Sequence, residues 1–193
     1  MRALIYTAFV SLDGVVDSPG GGTPFEAHRS GGWTYKDIEF RPEAYELKGR
    51  ETEEATALMF GRTSYEAFSP LWPDIADFAA LKELPKYVVS TTLGEDALVD
   101  NWGDITILRS MEDVEKVKQT DGGPIVIHGS ATLARNLSDA GLIDRYHLLV
   151  FPVLLGAGKR MFSDTDKDKQ MLKVVESETY ANGITKLVYD VVH

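Results

Sequence analysis

The chain has 193 residues, a formal net charge of −10, and 44% hydrophobic against 26% charged residues, the proportions of a globular protein with one domain over 1–193. That negative charge excludes a nucleic-acid partner, whose backbone it would repel, while leaving room for a small anion held by local donors. The absence of cysteine excludes disulfides, thiolate catalysis and thiolate metal sites. His28, His128, His147 and His193 show no ligand spacing, so no metal is expected. No apolar run approaches a membrane span, and the apolar part of MRALIYTAFVSLDG is too short for a signal peptide. Both point to the cytoplasm.

In chain order, Arg2 to Val10 reads as the first strand, followed by SLDGVVDSPGGG, a turn and a glycine-rich loop. Thr23 to Asp37 has no period, and a loop of that length in a compact domain is often functional. Pro42 to Ala57 predicts a helix with Pro42 near its first turn, weakened or split at Gly49. Leu58 to Phe60 is a second strand ending in Gly61, after which RTSYEAF starts another helical turn. Tyr87 to Ser90 is a third strand and ITILRS, from Ile105, a fourth. MEDVEKVKQ, from Met111, is a short amphipathic helix with Val114 and Val117 inward. IVIH, from Ile125, is the fifth strand. It breaks at Gly129-Ser130 into a helix with Leu133 and Leu137 on one face and Ser130 as N-cap. Tyr146 to Leu155 is a long apolar strand interrupted at Pro152. Finally, 171–180 and 184–192 flank Asn182-Gly183, a hairpin signal. Strands alternating with helices predict an α/β fold with a mostly parallel sheet and a terminal antiparallel hairpin.

Three strands end in related chemistry: Gly61-Arg62-Thr63, Ser90-Thr91-Thr92 and Gly129-Ser130. In a parallel sheet those ends share one edge, where open α/β sheets bind ligands. They supply glycine for close approach, hydroxyls, a helix N-terminus and one guanidinium able to grip a phosphate. Neither GxGxxG nor GxxxxGK[ST] is present.

With FGRTSYE after a strand, VVSTT, and IHGSATL before a helix, the chain resembles the dihydrofolate reductase-like fold family. SLDG after the first strand and PVLLGAGKRMF after the long one resemble its riboflavin-biosynthesis branch, the reductase domain that is C-terminal in the bifunctional deaminase-reductase. The resemblance spans nearly the whole chain. It implies an NADPH-binding fold, with Gly61, Arg62 and Thr63 at the cofactor phosphates. Ser90, Thr91 and Thr92 would lie near the adenosine ribose and its 2′-phosphate, and Gly129, Ser130, Ala131 and Thr132 around the pyrophosphate. The implied activity is NADPH-dependent reduction of a small heterocycle such as a ribosylaminopyrimidine. The alternatives are a dihydrofolate or pterin reductase and a non-catalytic NADPH-binding protein.

Asp13 in SLDG is the first candidate for catalysis and substrate contact, against an Asp-Gly turn whose carboxylate caps its own backbone. Lys159 could meet an anionic substrate group or be a solvated loop lysine. Trp33 and Tyr35 could close over a planar ring or pin their loop to the core. His128 reads as a core histidine. The acids of ELKGRETEEA read as a solvated face, and none of Glu43, Glu46 and Glu51 aligns with the carboxylate that a dihydrofolate reductase is expected to put into the pterin pocket. A homodimer is expected, because Tyr146 to Leu155 is apolar on both faces and the terminal hairpin adds strand edges.

Overall fold

A computed structural model describes residues 1–21, 28–164 and 168–192. Thr23 to Ala27 of the expected long loop, and His193, lie outside the described residues. Eight strands make one sheet in the order β4-β3-β2-β5-β1-β6-β8-β7. They are β1 (Leu4–Ser11), β2 (Ala57–Gly61), β3 (Lys86–Val89), β4 (Ile105–Leu108), β5 (Ile125–His128), β6 (Arg145–Phe151), β7 (Leu172–Thr179) and β8 (Thr185–Val191). The first six run parallel, and β8 and β7 add antiparallel to β6. This is the expected mixed sheet with its C-terminal hairpin.

Four helices cover the two faces: α1 (Glu46–Glu54), α2 (Arg62–Phe68), α3 (Met111–Lys118) and α4 (Ala131–Asp139). Val114 of α3 and Leu133 and Leu137 of α4 pack with Leu4, Tyr6 and Ile127 on one face. On the other, Leu47 of α1 packs with Leu149 and Phe151, and Tyr65 of α2 with Leu58 and Phe60. α3 and α4 bury the apolar stripes their spacing displays, whereas α1 buries Leu47 together with Glu51.

Local chemistry moves several boundaries. The expected helix over 42–57 is a 3-10 turn at Pro42–Tyr45 followed by α1. Gly49 lies inside α1 without splitting it, and the chain leaves the helix at Ala55 to enter β2. β6 stops at Phe151, because Pro152 has no N–H to give a ladder. Its two apolar faces are covered within the chain, Tyr146 and Leu148 in the core with α4 and Leu149 and Phe151 in that with α1. The hairpin loop is longer than a two-residue turn: Thr179 pairs with Thr185, and Tyr180 N–H donates to Ile184 O at 2.9 Å.

Candidate functional site

The carboxyl ends of the parallel strands open into one cleft of about 970 Å³. It is lined by Gly61, Arg62, Thr63, Ser90, Thr91, Thr92, Gly129, Ser130, Ala131 and Thr132 together, so all ten expected cofactor residues meet at one place. Charged lining among the described residues comes from four cations, Lys48, Arg62, Arg109 and Lys159, against one carboxylate, Asp17. A strongly acidic chain has thus concentrated positive charge in its cleft.

At the turn from β5 into α4, Gly129 has φ 56° and Ser130 φ 58°, two successive left-handed residues. A Cβ on Gly129 would stand 3.1 Å from Ser64 Oγ and 3.3 Å from Phe68 Cζ, so the position requires glycine on both counts. Ser130 is not the capping serine its sequence position suggests. Its left-handed backbone aims the hydroxyl away from α4. There it accepts from Gly61 N–H at 2.9 Å and donates to His128 O at 2.9 Å. Its own N–H donates to Ser64 Oγ at 2.8 Å. One serine therefore ties the end of β2 to the end of β5, and no side chain caps α4. The Ala131, Thr132 and Leu133 positions of α4 line the cleft, where first-turn N–H groups and the helix dipole favour an anion. By contrast α3 is capped by Ser110, which accepts from Asp113 N–H.

Arg62 is aimed by two partners, Glu66 Oε1 at 2.7 Å and Thr92 Oγ1 at 2.9 Å. Ser90 shapes its loop, its Oγ accepting from the N–H groups of Thr92 and Leu93, while Thr91 and Thr92 are exposed. Arg109, which the sequence reading passed over, donates to the carbonyls of Ser90 and Leu93 at 3.0 and 2.7 Å. It brings a second guanidinium to the same corner.

The substrate-side expectations fare differently. Asp13 does not line the cleft. Its carboxylate accepts from Ser11 Oγ at 2.6 Å, Leu155 N–H at 3.1 Å and Gly156 N–H at 2.7 Å, and these bonds hold its pKa down to about 2. Arg160 closes the arrangement by donating to Asp13 O and to Gly156 O. SLDG and GAGKR are thus clipped to one another through Asp13 and Arg160, and Asp13 lies outside the cleft lining. Trp33 is buried, packs edge-on against Phe151 and donates to Asp17 O at 2.8 Å. It pins the loop and does not face the cleft, and the exposed Tyr35 does not line it either. Lys159 does line the cleft.

One constellation had no sequence signal. Thr7 on β1 lies in register between His128 on β5 and His147 on β6, so these side chains share a sheet face. Glu51 comes down on them from α1 and is 3% exposed. Thr7 Oγ1 is within 2.8 and 2.9 Å of its two carboxylate oxygens, His147 Nδ1 within 2.9 Å and Lys48 Nζ within 3.3 Å. Lys48 also donates to Thr7 Oγ1. Burial pushes the Glu51 pKa up, but the Lys48 charge, the His147 hydrogen bond and the His128 charge outweigh it and hold it to about 2. Burial draws Lys48 down and the Glu51 charge draws it up, with a net lowering. Burial holds His128 down to about 4, with Lys48 adding to the fall and Glu51 opposing it. Lys48 and His128 line the cleft and Glu51 does not. Phe68, Trp72 and Phe78, stacked at 4.4 and 4.3 Å, form an aromatic wall nearby, with Trp72 edge-on to His128.

A sheet whose strand ends open into a cationic cleft has the arrangement in which open α/β sheets bind their ligands. The RibD C-terminal domain model matches residues 2–186, and the chain belongs to that family, whose domains are reductase-like. It is similar to the uncharacterized protein YyaP of Bacillus subtilis (strain 168), 32% identical over 139 residues, which are 68% of this chain and 72% of that one. A solved Shewanella sp. PV-4 structure, assigned provisionally to riboflavin biosynthesis, superposes with a TM-score of 0.72 at 19% identity over 99% of both chains. Dihydrofolate reductase from Enterococcus faecalis, solved with NADP(H) and RAB-propyl, gives 0.58 at 15% identity over 99% of this chain and 97% of that one. The fold is dihydrofolate reductase-like.

Proposed function

We propose that the protein is an NADPH-dependent reductase of a small planar heterocycle of the riboflavin-pathway kind. The observation that carries this is the uncapped first turn of α4, opening beyond two left-handed residues into a cleft whose lining holds four cations to one acid. The residues fit the cofactor. Gly129 supplies the left-handed backbone of the turn, and α4 offers N–H donors to a pyrophosphate. Arg62 with Thr92, and Arg109 beside Ser90, offer charge and hydroxyls to a 2′-phosphate. When bound there, the nicotinamide supplies a hydride. The protein's own part is to orient the two rings and exclude water between the aromatic wall and the floor of β1. The Enterococcus faecalis relative carries NADP(H), which supports a nicotinamide cofactor in this family of folds.

Calorimetry with NADPH and NADH tests the reading. Charge-assisted bonds to a 2′-phosphate contribute roughly 1.5–3 kcal/mol each, so NADPH binds about tenfold tighter or more, and Arg62→Ala narrows that gap. Equal dissociation constants overturn it. Oxidation of bound NADPH by ribosylaminopyrimidines rather than dihydrofolate separates this enzyme from a pterin reductase, and no oxidation with any ring leaves a binding protein. A homodimer through the β7 edge, where Val174 and Val175 are exposed, belongs to the same proposal. Light scattering at twice 21.3 kDa checks it.

A further inference from the structure

The cleft has a second charged region, away from the phosphate loops. Of the residues packed around Glu51, Lys48 is the cation that reaches the cleft. Its side chain is 21% exposed against 2% for that of Glu51, and its ammonium stands 5.1 Å from the centre of the Phe9 ring. A buried ion pair is weak evidence of stabilisation, because desolvation offsets the attraction, and a packed apolar pair would serve as well. Placed on a cleft wall, such a pair is a candidate for ligand contact.

We infer that Lys48, positioned by Glu51 through Thr7, is the group that meets the polar edge of the heterocycle, so that the cleft takes a ring edge of hydrogen-bond acceptors and refuses one of amidine donors. This deepens the reductase reading and rests on it. The donor count supports it. An ammonium has three N–H bonds; Thr7 and Glu51 take two directions, and one is left for a carbonyl or imide oxygen. A carboxylate recognises an amidine by offering both oxygens side by side. Here the one hydroxyl proton of Thr7 is shared between the two Glu51 oxygens, and His147 contacts one of them. Glu51 acts as a positioning residue and Lys48 shields it.

The test uses two probes, each titrated by calorimetry into the full chain with saturating NADP. Barbiturate is a planar pyrimidine anion edged with oxygens, and 2,4-diaminopyrimidine has an edge of amidine donors. The wild-type protein binds barbiturate at least about tenfold more tightly, as expected for one charge-assisted bond. Lys48→Arg keeps that order. Lys48→Ala loses about tenfold for barbiturate and leaves the weak binding of 2,4-diaminopyrimidine unchanged, because Thr7 and His147 still hold the Glu51 oxygens. Should Lys48→Ala fail to fold around its unpaired carboxylate, the neutral double variant Lys48→Gln, Glu51→Gln decides: it loses barbiturate affinity and gains none for the diamine. A merely structural pair would lower Tm in these variants and leave the order of the probes unchanged. That result, or no barbiturate binding by wild type at millimolar concentration, overturns the inference. NADPH affinity is read separately by protein fluorescence without either probe. Its loss in every form, with probe order still following Lys48, would sink the cofactor reading alone.

Discussion

The two ends of the cleft are built by opposite means. The β5–α4 turn offers a ligand backbone: a glycine, a left-handed serine and an uncapped helix, shaped by local sequence. The end at Thr7, Lys48, Glu51 and His147 is built instead around a buried ion pair, drawn together from β1, α1 and β6. The first end is a matter of shape, whereas the second is a matter of protonation. A ligand spanning both would be held by geometry at its phosphates and by charge at its ring.

The largest expected effect strikes the backbone end. In Gly129→Val, branched side-chain atoms meet Ser64 and Phe68 at a φ of 56°, a left-handed position costly for a β-branched residue, on the order of 1–3 kcal/mol. NADPH affinity is expected to fall tenfold or more, while stability drops by a similar amount at every pH and its pH dependence keeps its shape. A variant that binds NADPH normally would break the distinction between the ends.

The next effect belongs to the charged end and is read as stability against pH. His128 is held near 4 in the folded protein, below its ordinary 6.5, so the unfolded chain takes up a proton first and stability falls as pH drops from 6.5 towards 4. Glu51, held near 2 against 4.5, contributes stability above pH 4.5 that is lost as pH falls through 4.5 towards 2. Chemical unfolding from pH 8 to pH 3 should therefore show two successive declines. His128→Gln should remove the upper one and leave the lower. A single decline in the wild-type protein would show that the two groups do not titrate apart.

The smallest effect tests the clip behind the cleft. Asp13→Asn loses charge at a carboxylate that accepts two loop N–H groups. Tm should fall modestly, and turnover should stay within about threefold, far from the roughly 10²–10⁴-fold loss of a group that transfers protons. A loss on that larger scale would return Asp13 to the chemistry.

What was legible in the sequence follows the same division. Gly61-Arg62-Thr63, Ser90-Thr91-Thr92 and Gly129-Ser130 are contiguous motifs at strand ends, so the alternation of strands and helices alone brings them to one edge. The hydroxyl of Ser130 was misread because its left-handed φ, which turns it from its helix towards Gly61, leaves no trace in composition. Glu51 looked like its neighbours Glu53 and Glu54 on a charged helix, yet β1 and β6 cover it and leave the other two exposed. Sequence spacing could pair Lys48 with Glu51 at one helical turn; it could not supply Thr7 and His147, which are joined to them only through the sheet. The Asp13 clip was written in two motifs, SLDG and GAGKR, whose meeting across the fold neither one announces.

The strand order carries a consequence for how the molecule is made. β1 lies between β5 and β6, pairing Leu4 with Ile125 and Ser11 with Phe151. On a ribosome that has released only the first half of the chain, this apolar strand has both edges bare. Nothing yet synthesised can complete it. Sheets closed by such distant pairings form slowly and expose sticky edges while they wait, so β1 stays open to wrong pairings until β5 and β6 emerge.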